Sequence, residues 1–94
     1  MTDAEARAVL RTVEFRAKNL RGLILPKIIR FSASGAVAEL DRLTSIRQRV
    51  LDTYSASDRR IPPKIGTVAA DCADQLQRLS AAIETVFTSS KQES

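Results

Sequence analysis

Apolar residues recur at steps of three and four along three separate runs of the chain, the signature of amphipathic helices. In the first run Ala6, Val9, Val13, Ala17, Leu20, Ile24, Ile28 and Phe31 hold one stripe, which predicts a long helix over about 3–31. Thr2 or Asp3 can cap its start, and Asp3 and Glu5 suit the positive end of its dipole. Pro26 removes one backbone hydrogen bond and crowds the preceding turn, so a kink or break is expected at Gly22–Pro26. Phe15, Leu25 and Ile29 fall off the main stripe, beside Arg11 and Lys18. That second apolar strip, interleaved with cations, is the least ordinary feature of the sequence.

Ser32–Gly35 offers capping hydroxyls and a glycine, and predicts a turn before a second helix over about 35–54. Val37, Leu40, Leu43, Val50, Leu51 and Tyr54 make its apolar arc, with Ile46 at the margin. Arg47 lies near the middle of the arc. It either lays its methylenes on the core with the head outward, or bonds a carboxylate on another helix or a partner. The stretch 55–63 (SASDRRIPP) is loop by composition, with Asp58, Arg59 and Arg60 as solvated charge. Pro63 fits the first position of a third helix, where its missing N–H costs nothing. That helix, about 63–88, has the most regular pattern: Ile61, Ile65, Val68, Cys72, Leu76, Leu79, Ile83 and Val86 follow at spacings suited to coiled-coil-like packing. The tail 89–94 is polar and expected to fray.

Short turns between three helices predict an all-α, antiparallel up-down-up bundle, one domain over 1–94. Lengths strain this picture. A first helix of about 29 residues spans about 43 Å, against about 30 Å for a second of about 20 residues. Either the first helix breaks near Pro26 or one end overhangs and asks for another molecule.

Composition narrows the chemistry. Aromatics are 4% and tryptophan is absent, so the core must be aliphatic. There is no histidine, which removes the commonest general base and zinc ligand. The single Cys72 cannot form an intrachain disulfide, and its place in the stripe makes it a small buried hydrophobe rather than a reactive thiol. Nucleotide-binding glycine motifs and metal-binding cysteine or histidine pairs are missing. Asp71 and Asp74 are neighbours on the third helix but lack a third ligand, and no serine has a base to activate it. Neither catalysis nor a cofactor or metal is expected.

The charge excess is local. Residues 1–31 hold seven cations against three acids, and the remainder holds eight of each. A basic, apolar first helix suits a protein partner or self-association into a homo-oligomer through Arg11, Phe15, Lys18, Gly22, Leu25 and Ile29, with Arg47 as a further contact. Arg7, Arg11, Lys18 and Arg21 recur along one side and could follow a nucleic-acid backbone, although Glu14 interrupts the row. Binding to an anionic membrane surface ranks lower, because the apolar-basic segment is short and holds Pro26. No signal peptide or membrane-spanning run is evident, so an intracellular, soluble protein is expected.

Overall fold

A computed structural model of the chain describes residues 1–25 and 32–88, and over these it is an all-α bundle of three helices. Helix α1 runs Asp3–Ile24, α2 runs Ala33–Ala56 and α3 runs Pro63–Ile83, followed by a short π-helical segment, Glu84–Thr88. Contacts fix the directions. Tyr54 at the end of α2 meets Asp3 at the start of α1, and Arg11 of α1 approaches Asp71 of α3. The helices therefore run up, down and up, with α1 and α3 parallel and closely packed along their lengths.

Each start is set by local chemistry. Thr2 caps α1: its hydroxyl accepts from the Glu5 N–H at 3.1 Å, and the Glu5 carboxylate accepts the Thr2 N–H at 3.2 Å. This reciprocal box satisfies two otherwise orphaned donors. It also holds the Glu5 carboxyl below its ordinary pKa, chiefly through the backbone hydrogen bond from Thr2. Ser32 caps α2 by accepting from the Gly35 N–H at 3.0 Å. Because the cap lies this early, Ser34 and Gly35 belong to the first turn of α2 and not to the connection before it. Pro63 occupies the first turn of α3, as its sequence position predicts, with Pro62 as the extended residue before it.

The end of α2 shows a different device. Asp58 has φ 53°, the left-handed region, and the Arg59 N–H bonds the Tyr54 carbonyl at 2.8 Å while the Asp58 N–H bonds that of Ser55 at 3.1 Å. This pair of bonds is a Schellman ending, with aspartate in the position more often taken by glycine.

The core is aliphatic. Ala6, Leu10, Val13, Ala17, Leu20 and Ile24 face Leu43, Val50 and Tyr54 of α2 and Ile65, Val68, Cys72, Leu76, Leu79 and Ile83 of α3. No polar or charged residue is buried among the described residues. Three positions depart from the sequence pattern. Leu10, off the predicted stripe, is fully buried, because α1 is covered on two sides and needs a wider apolar arc than one stripe. Val37 is 43% exposed while Ala36 takes the buried place, because Ala36 is in line with Leu43, Val50 and Tyr54 on the helix and Val37 is turned about 100° from it. Ile61 is 41% exposed, because α3 starts at Pro63 behind the extended Pro62 and leaves Ile61 in the connection.

The described part of α1 runs to Ile24, and Leu25 keeps helical dihedrals and donates its N–H to the Arg21 carbonyl, so the kink or break expected at Gly22–Pro26 abuts residues outside the described set. The remainder of the predicted first helix, 26–31, and the tail 89–94 lie outside the described residues. Helix α3 stops at Ile83, short of the predicted 88. The next five residues widen into the π-helical segment, which places Phe87 against the core.

Candidate partner-binding face

Helix α1 buries one side and presents the other. At about 100° per residue, Arg11, Phe15, Lys18, Gly22 and Leu25 fall within an arc of about 80° opposite the core positions. All five are exposed, with Phe15 at 69% and Leu25 at 50%. A phenylalanine ring this open is unusual in a chain with few aromatics. Its neighbours on the helix surface, Arg11 and Lys18, flank it a turn before and a turn after. Ile29, the remaining position of the predicted strip, lies outside the described residues.

The charges on α1 divide into engaged and unengaged. Asp3 accepts from Tyr54 at 2.8 Å and from Arg59 at 3.0 Å, Glu5 closes the capping box, and Glu14 pairs with Arg11 at 2.8 Å. Arg11 also comes within 3.6 Å of Asp71 on α3, which ties it toward that side of the face. Among the described residues, Arg7, Arg16, Lys18 and Arg21 make no ion pair. Every acid of α1 is spoken for by the fold, and four of its five cations are not.

Arg47 is not part of this face. It sits half-buried on α2 and donates from Nε to the Ala69 carbonyl of α3 at 3.0 Å. Of the two roles open to it from sequence, it takes a hydrogen bond to another helix, but the acceptor is a main-chain carbonyl and not a carboxylate. The bond crosslinks α2 and α3.

One cluster escaped sequence reasoning. Arg59 stacks 5.0 Å from the centre of the Tyr54 ring and pairs with Asp3, so Tyr54, Arg59 and Asp3 clasp the end of α2 onto the start of α1. Arg59 reads from sequence as solvated loop charge; the available signal was the lone tyrosine at the end of the α2 arc, whose buried hydroxyl needs an acceptor. Burial first, and then donation to Asp3, raises the Tyr54 phenol above its ordinary pKa.

The remaining chemical candidates have structural partners. Burial pushes the Cys72 thiol up to about 11, so it is neutral near pH 7. Asp71 approaches Arg11 and Asp74 pairs with Arg78 at 2.9 Å. No three metal-ligating side chains converge among the described residues, and no described helix is long and apolar enough to cross a membrane. Set against protein-family models, curated proteins and solved structures, the chain matches none.

Proposed function

We propose that this chain is a non-catalytic protein–protein interaction module, an adaptor or small subunit of a helical assembly, that binds through the basic and apolar face of α1. The observation that carries it is the 69% exposure of Phe15, with Leu25 at 50%, on the side of the helix away from the aliphatic core. Among the described residues the core is built from other side chains, and these two lie outside it. Removing them from water at a partner surface contributes roughly 25 cal/mol per Å² of apolar area. The surrounding cations set orientation and choice of partner.

Photo-crosslinking tests this directly. A benzophenone side chain placed at position 15 or 25 should give one discrete protein adduct in the native cell, while the same group at exposed Ser45 on α2 should not. Phe15→Asp or Leu25→Asp should remove the association and leave the helical circular dichroism signal intact. Equal labelling at all three positions, or none at 15 and 25, overturns the proposal. Adducts to nucleic acid would favour a phosphate-binding role, and that association should weaken steeply with salt, unlike apolar docking.

A further inference from the structure

The exposed face of α1 has a finer order than a greasy patch. Ala8, Arg11, Phe15, Lys18, Gly22 and Leu25 follow one another at steps of three, four, three, four and three, and all are exposed. Such steps keep these residues on one strip of the helix, where Phe15 and Leu25 can act as knobs for a second helix and the positions between them carry charge. This seam is turned outward, opposite the positions that form the core.

Gly22 fits the same use. It lies in the last turn of α1, and a Cβ built there would meet nothing within 4 Å. Glycine in a helix costs about 1 kcal/mol relative to alanine. Among the described residues nothing crowds the position; with Ala8, it leaves low ground on either side of the Phe15 ridge, where a neighbouring helix can approach.

Charge selects the occupant. Lys18 stands in the seam without an ion pair among the described residues, and Arg7 and Arg21 flank it equally unpaired. A twofold contact between copies through this face would bring the unpaired Lys18, Arg7 and Arg21 of both copies together, which is repulsive. The described residues outside this face also offer little to receive the seam: their exposed large hydrophobics are Met1, Val37 and Ile61, scattered at the chain start, on α2 and in a loop. A lipid surface wants cations bordering an apolar face, whereas these cations alternate with the apolar positions along it. A phosphate backbone has no use for Phe15, Gly22 and Leu25.

We infer that the partner is an acidic amphipathic helix of another protein, lying along α1 with apolar side chains over Gly22 and against Phe15 and Leu25, and carboxylates opposite Lys18 and the Arg7 flank. This inference rests on the interaction-module reading and names the partner for the same face.

Two synthetic helical peptides test it. Both carry leucine along a heptad seam; one has glutamate and the other lysine at the seam and flank positions that would meet the cations. Fluorescence anisotropy should show the glutamate peptide binding the native protein. Arg7→Glu/Lys18→Glu removes no ion pair of the fold, so circular dichroism should be unchanged, yet binding should fall by about tenfold or more. The lysine peptide should show the reverse preference. Failure of both peptides to bind, equal binding of both, or indifference to the charge reversal overturns the inference. So does binding of duplex DNA or phosphatidylserine vesicles by a protein that ignores the glutamate peptide, or a stable dimer in sedimentation that Lys18→Glu strengthens. Position-specific protein crosslinks at 15 and 25 that persist alongside a failed peptide arm would retire the acidic helix and keep the docking face.

Discussion

On one side of α1, Leu10 and Ala17 are sealed from solvent; on the other, Phe15 keeps most of its surface in water. The two sides belong to one helix, share its cap and its cations, and are separated by half a turn. Hydrophobicity alone does not decide which residues a fold takes in. Two neighbouring helices cover only the arc they can reach, so an apolar residue placed beyond that arc remains outside. Exposed single hydrophobics are common on protein surfaces. What separates Phe15 and Leu25 from that background is their regular spacing with two cations and a glycine with open space around it.

The comparison can be broken most forcefully from the inner side. Leu10→Ala removes a fully buried side chain at the meeting of helices and should lower stability by about 2–5 kcal/mol, a lost transfer energy plus a cavity. Chemical denaturation would read it as a lower midpoint with an unchanged slope. A loss below about 1 kcal/mol would mean that the site collapses around alanine and that the inner face is packed less tightly than its burial implies.

A smaller effect is expected where the inner side ends. Tyr54→Phe deletes the hydrogen bond to Asp3 and should cost about 1 kcal/mol, within the usual range for a single bond. The pH sign follows from the raised phenol pKa. The protonated phenol is the form the fold favours, so this stabilisation is fully present below the ordinary tyrosine value and is lost as pH climbs through the raised one. Thermal melts of parent and variant should therefore converge in the alkaline range. Parallel curves across that range would separate the clasp from the titration of Tyr54.

Much of the inner side was legible in the sequence and the clasp was not. The period of α3 from Ile65 to Ile83 needed only the 3.6-residue repeat, and Pro63 marked its start because proline has one comfortable place in a helix. The exposure of Phe15 followed from the same geometry. Leu10 was missed because a single stripe cannot say how many neighbours a helix will have. Val37 was misplaced because it stands about 100° from the line of Leu43, Val50 and Tyr54, which Ala36 joins instead, and Ile61 because a proline pair cut it from its helix. Asp3, Tyr54 and Arg59 are joined across more than fifty positions of chain, and a short-range pattern carries no trace of such a meeting. Arg47 is a related case: its place in an apolar arc announced an unusual role, but the main-chain carbonyl that accepts from it belongs to tertiary structure.

Gly22→Ala moves to the outer side and reverses the sign. With open space around the new methyl and a helical backbone, the substitution should raise stability by about 0.5–1 kcal/mol. The same methyl fills ground that an approaching helix would use, so partner capture at position 25 should weaken while the melting temperature rises. A variant more stable and equally competent in binding would show that Gly22 marks only a permissive helix end.

The smallest stability effect sharpens the contrast furthest. Phe15→Ala removes an entire aromatic side chain, and a buried phenylalanine lost in this way costs about 3–5 kcal/mol. Because the ring at position 15 is 69% exposed and alanine suits a helix better, the denaturation midpoint should move by no more than about 0.5 kcal/mol in either direction. Association through α1 should nonetheless fail. A loss of several kcal/mol in the isolated subunit would place the ring inside the fold in solution, and the second seam would then be a continuation of the first.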